Sequence, residues 1–142
     1  MHAGPQRAFD VFASMGRWWP LDTHHTGPVD ATDVVLEPHE GGRWFERADD
    51  GTEADWGRVL AWEPPSRLVL AWHLNAEFAF DPDPDRASEV EVTFTDLGDG
   101  RTEVVLEHRR LEVFGGVAPM VREQLDGDGG WGGLLATYAT HA

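Results

Sequence analysis

Val104, Leu106 and His108 stand at every second position of one segment, so an extended chain carries the histidine on the same face as two aliphatic side chains. An imidazole in such company has two uses. Turned toward a ligand it orients a polar group or exchanges a proton, and bonded to a neighbour it is a core residue. Glu46 alternates with Trp44 in the same way. Facing inward, its carboxylate would pair with His108 or hold a ligand; facing outward, it would be a solvated strand residue. His108 and Glu46 are therefore the candidate catalytic residues, and the composition leaves few competitors. All eleven basic residues are arginine, so no lysine can form a Schiff base, and there is no cysteine for a disulfide, a thiolate nucleophile, a thiolate zinc site or an iron-sulfur cluster.

Other groupings fall short of a site. His24 and His25 follow Asp22, but adjacent residues of an extended chain point apart and no third histidine is near in sequence, so no metal is expected. Asp81, Asp83 and Asp85 have a calcium-loop rhythm. Arg86, however, stands where that loop needs glycine and Val92 where it needs a bidentate glutamate. Phosphate-loop, nucleophile-elbow and zinc-protease motifs are absent, and no cofactor is expected.

These side chains need a scaffold, and the periodicity supplies one. Pro5 to Ala13 carries Ala8, Phe9 and Phe12 at helical spacing, and Met15 to Trp19 adds a turn stopped by Pro20 before a polar loop over 22–28. From residue 32 the period becomes two. Strands are expected over 33–37, 43–47, 56–62, 67–74, 88–96 and 101–111, with turns at Asp50-Gly51, Pro64-Pro65 and Gly98-Asp99-Gly100, which makes an antiparallel meander. In 67–74 both faces are apolar, and Trp72 is placed inward because Arg67 belongs outward. Val121 and Leu125, then Trp131, Leu134, Leu135 and Tyr138, form the stripe of a C-terminal helix. The glycines at 127, 129 and 130 predict a break or kink near 127–130.

The balance of the composition sets outer bounds. A chain of 142 residues makes one domain, 1–142, with roughly two-thirds of its surface buried. The net charge of -15, spread over the length, opposes nucleic acid and anionic membranes. No apolar run approaches membrane-spanning length and the first residues lack a signal-peptide pattern, so the expected location is cytoplasmic. The seven tryptophans, at 18, 19, 44, 56, 62, 72 and 131, are either core or the flat walls of a ligand pocket.

Several segments in order resemble a known family: Arg7-Ala8-Phe9 with Phe12, Trp18-Trp19-Pro20, Glu37-Pro38 with Gly41-Gly42-Arg43-Trp44, Asp50-Gly51, Trp56-Gly57-Arg58-Val59, Pro64-Pro65 with Arg67-Leu68-Val69-Leu70 and Trp72, Glu107-His108-Arg109, and Gly130-Trp131. The chain resembles the activator-of-heat-shock-protein-90-ATPase-like branch of the SRPBCC, or START-like, superfamily. The resemblance implies an α+β helix-grip fold: a curved antiparallel sheet wrapped around a long C-terminal helix, with two short helices near the N-terminus and an internal pocket for an apolar ligand. Phe12, Trp19, Trp44, Trp72, Phe94, His108 and Trp131 are the expected ligand-binding residues. Members normally carry a further strand before the Pro-x-Arg-Ala-Phe segment, and only four residues precede Pro5 here. An open sheet edge at Arg101 to Leu111 is then expected, suited to a homodimer. The leading reading is binding of a small hydrophobic or aromatic molecule. The alternatives are a cyclase, dehydratase or hydrolase acting on a polyketide-like or aromatic substrate through His108 and Glu46, and a chaperone-associated module.

Overall fold

Pro5 sets the first turn of α1 (Pro5–Ala13), whose Ala8, Phe9, Val11 and Phe12 are buried. A 3-10 turn, Met15–Arg17, follows, and the Trp18 indole folds back so that its Nε1–H donates to the carbonyls of Val11 at 3.0 Å and Phe12 at 3.3 Å. Those carbonyls end α1 and have no helical partner of their own, so the indole closes the helix. The computed structural model describes residues 2–20, 31–75, 77, 79–126 and 130–141. The loop over 22–28, with Asp22, His24 and His25, lies outside them.

Six strands follow in chain order: β1 (Ala31–Leu36), β2 (Arg43–Ala48), β3 (Glu53–Glu63), β4 (Arg67–Trp72), β5 (Ser88–Gly98) and β6 (Arg101–Arg109). They form one antiparallel meander in the order β1-β2-β3-β4-β5-β6. Asp99 and its two flanking glycines all take positive φ in the β5–β6 turn, which suits the Gly-Asp-Gly sequence there. Register shifts at Trp44/Phe45 and Val59/Ala61 add twist where β2, β3 and β4 meet. The last strand ends two residues earlier than its alternation suggests. Arg110 adopts a left-handed conformation, φ 60°, and turns the chain into a further 3-10 segment, Leu111–Val117. β4 likewise stops at Trp72 rather than residue 74; Leu74 makes an isolated bridge to Phe80.

One face of the sheet holds the core. Leu68, Leu70 and Trp72 of β4 are buried with Val90, Val92 and Phe94 of β5, so Trp72 does point inward. The other face is a ladder of ion pairs, among them Arg67 with Glu63 and Glu91, and Arg109 with Glu89 and Glu91. The C-terminal helix comes as two segments, α2 (Ala118–Asp126) and α3 (Trp131–Ala139), on either side of the expected break. A side chain at Gly130 would collide with the carbonyls of Gln124 and Leu125, so the chain can enter α3 this way only through glycine. Val121, Leu125, Trp131, Leu134 and Tyr138 are buried as the stripe requires, and Tyr138 donates its hydroxyl to the Ala8 carbonyl at 2.6 Å, tying α3 to α1.

Among the described residues no strand pairs with the far edge of β6, although Thr102 donates to the carbonyl of Ala3 across it. No described helix is long and apolar enough to cross a membrane.

Candidate functional site

The β5–β6 register sets Val90 opposite His108, which brings Ser88 and His108 within reach on the inner face. Ser88 Oγ lies 2.7 Å from His108 Nε2, and Trp131, the first residue of α3, donates its indole N–H to His108 Nδ1 at 3.0 Å. An indole nitrogen only donates, so Nδ1 is the acceptor and the proton of the neutral ring resides on Nε2, where it donates to Ser88. Burial pushes the His108 pKa down from 6.5 to about 4. The imidazole is thus neutral at neutral pH, with both nitrogens engaged. A serine and a histidine at this distance invite a nucleophile-and-base reading, but the proton sits on the wrong nitrogen. Nε2 cannot accept the Ser88 proton while Trp131 holds Nδ1.

Glu46 is 2% exposed and accepts the Trp56 indole N–H at 2.8 Å. No hydrogen bond or ion pair joins it to His108. β2 and β6 are four strand positions apart, about 19 Å across a flat sheet at the usual spacing. Curling shortens that path, yet Trp44 and Trp72 stand along it.

Between these two polar groups lies a closed ring of five indoles. Trp56 meets Trp44 with ring centres 5.6 Å apart, Trp44 meets Trp72 at 5.7 Å, and Trp72 meets Trp131 at 5.8 Å. Trp19 completes the circuit, 6.0 Å from Trp131 and 5.1 Å from Trp56. The geometries are tilted or edge-to-face, as ring quadrupoles prefer. Gly57 makes one of these contacts possible: it stands between Trp44 and Trp72 in the β2–β3–β4 register. A Cβ on Gly57 would collide with the Ala71 carbonyl and press on the Trp44 ring. Trp44 itself is fully buried, and its Nε1 has no hydrogen-bond partner.

Space opens at the His108 end. A cleft of about 310 Å³ is lined by Leu106, His108, Leu111, Leu125 and Trp131, with Arg122 and Asp126 at its border. A shallower cleft of about 630 Å³ shares His108, Leu111 and Arg122 with it. Of the expected ligand-binding residues, His108 and Trp131 line this opening and Trp72 packs against both. Trp19 and Trp44 belong to the indole ring but do not border these clefts. Phe12 and Phe94 pack against each other and, through Phe12, against Trp18 and Tyr138 in the core. Ser88 was legible as one more inward position before Val90, Val92 and Phe94. Leu125 was legible in the helical stripe, whereas nothing in the sequence marked Leu111 or Arg122. Among the described residues no three carboxylates or histidines are grouped to hold a metal.

The sequence profile of the family described as Activator of Hsp90 ATPase homolog 1-like protein matches residues 3–136. No curated protein matches the chain significantly. Among solved structures, the anthrahydroquino-gamma-pyrone synthase Txn09, determined in complex with a ligand designated SUM, is 38% identical, with 99% of this chain and 91% of that one covered and a TM-score of 0.66. CalC from Micromonospora echinospora, a self-sacrificing resistance protein, is 31% identical over 99% of this chain and 87% of its own, with a TM-score of 0.70. The protein NE0264 from Nitrosomonas europaea, at 12% identity, TM-score 0.60 and coverage of 97% and 86%, shares the fold alone.

Proposed function

Because the chain belongs to the Activator of Hsp90 ATPase homolog 1-like family, we propose that it binds a small hydrophobic or aromatic molecule between the inner face of its sheet and the C-terminal helices, in the cleft beside His108 and Trp131. The observation that carries this reading is the cleft beside Trp131, where aliphatic walls and an indole surround one neutral imidazole. An apolar space with a few placed polar groups is the ordinary form of a small-molecule site. Trp19, Trp44 and Trp72 back that opening with flat surfaces, and Phe12 and Phe94 close the core behind them. Likeness to a synthase that makes an anthrahydroquino-gamma-pyrone favours a polycyclic aromatic ligand.

Binding is preferred to catalysis on the geometry of His108. A reaction using His108 with Glu46 or water needs a free imidazole nitrogen, and both are bonded. Tryptophan fluorescence in a screen of polycyclic aromatic compounds tests the reading: saturable quenching, lost in His108→Ala, is expected. Quenching by no compound overturns it. An acidic chain without cysteine needs no oxidising compartment, so we place it in the cytoplasm. The outer edge of β6, with which no strand of the described residues pairs and where Val105 is about half exposed, is the surface we assign to pairing with a second copy. Light scattering that finds only monomer at high concentration removes that assignment.

A further inference from the structure

We infer that the Trp44 indole N–H is the polar anchor of the binding site, and that the ligand it selects is neutral, planar and carries a carbonyl-type oxygen on its ring system. This rests on the ligand-binding reading above. Among the described residues, Trp44 Nε1 is the buried side-chain nitrogen or oxygen that has no hydrogen-bond partner. Buried polar atoms in folded proteins are nearly always satisfied, and an exception calls for a specific cause such as a bound molecule. Three other indoles differ. Trp18, Trp56 and Trp131 each donate to a named acceptor.

Three features define the missing acceptor. First, an indole N–H donates and cannot accept, so the partner must bring a lone pair. Second, the donor sits in the ring of five indoles, between Trp56 and Trp72 and above a glycine, where flat faces and edges surround it. The described clefts stop short of Trp44, so a flat ring system would reach it from the cleft at Trp131 by displacing Trp72, the ring between that cleft and Trp44. Third, the described interior contains no buried arginine. Its buried polar side chains are Glu46, His73, Ser88 and Thr102, and Glu46 is two residues from Trp44 on the same face of β2. A carboxylate or phenolate brought there would be an anion buried without a counter-charge. A ketone, quinone or lactone oxygen satisfies the donor without that cost.

The matched probes 9-fluorenone and fluorene test this directly, since they differ by one carbonyl in place of a methylene. Both are titrated into the full chain labelled with ¹⁵N, following the indole cross-peaks, with affinities from tryptophan fluorescence. The expected result is about tenfold tighter binding of fluorenone, the ordinary worth of one hydrogen bond to a donor already stripped of water. In Trp44→Phe the preference should vanish while the affinity for fluorene changes little. Equal affinities in the wild type, or a preference that survives Trp44→Phe, overturn the inference and leave the binding reading standing. Binding by neither compound overturns both. Should Trp44→Phe fail to fold, the wild-type Trp44 indole proton decides: it moves downfield and gains exchange protection with fluorenone but not with fluorene if the inference holds. Equal responses to the two compounds overturn it.

Discussion

The two ends of the indole ring treat a buried polar group in opposite ways. At the β2–β3 end, Glu46 is sealed in and receives the Trp56 N–H, with both partners on neighbouring strands and ten residues apart. At the β5–β6 end, His108 is held by Ser88 of the adjacent strand and by Trp131 from a helix 23 residues further on, and it borders open space. The first arrangement joins two neighbouring strands. The second depends on where the C-terminal helix sits, so it can respond to whatever enters beneath that helix.

The largest expected effect falls on the sealed end. Trp56→Phe removes a donor from a buried carboxyl and leaves a void, and should cost about 3 kcal/mol in urea unfolding. Trp44→Phe makes a similar void but breaks no hydrogen bond, so its cost should be smaller by roughly 1–2 kcal/mol. Equal costs would mean that Glu46 does not need Trp56, and the contrast between the two ends would lose its basis.

Next comes pH. His108 titrates at about 4 in the folded chain against 6.5 ordinarily, so the unfolded chain binds the extra proton first as pH falls. The neutral imidazole therefore contributes its full share of stability above pH 6.5. That share is lost progressively between 6.5 and 4, and its size is roughly 3 kcal/mol at most, since His108 is not wholly enclosed. Comparing urea midpoints of the wild type and His108→Leu at pH 7.5 and 4.5 isolates it: the wild type should lose the extra stability and the variant should not. Parallel losses in the two proteins would argue that the imidazole is solvated.

Trp131→Phe gives a smaller and more local effect. Without the indole donor at Nδ1, the neutral form loses a stabilising bond and the His108 pKa should rise toward its ordinary value, read from the imidazole proton shifts across a pH titration. A value that stays near 4 would show that burial acts alone and that α3 does not control the site. The smallest change should come from the outer face. Glu91, whose carboxyl is held below its usual range by a hydrogen bond from Arg67, is a surface partner; Glu91→Gln should cost at most ~1 kcal/mol, less in high salt, and leave the His108 titration unmoved.

Much of this was written in local pattern. The six strands, the inward direction of Trp72, Val90 and His108, and the break before Trp131 follow from period-two alternation and from glycine placement, which need no knowledge of distant residues. Strand ends were read less well. Arg110 carries no mark of the left-handed conformation that stops β6, and the alternation ran on to Leu111. The site was half legible. His108 could be placed on an apolar face, but a period gives only a side chain's direction, not what it meets.

The sequence by itself determined that the chain has one core-forming sheet face, an acidic surface without lysine or cysteine, and two inward polar side chains, because each of these is a property of composition or of spacing within a few residues. Tertiary structure alone decided that Glu46 and His108 are kept apart by tryptophans, that Trp131 fixes which imidazole nitrogen carries the proton, and that Trp44 is left with an unused donor. The physical reason is range. Alternation and helical stripes act between neighbours along the chain, whereas the tautomer of His108 and the isolation of Trp44 are set by groups brought together only when the sheet curls and α3 packs against it.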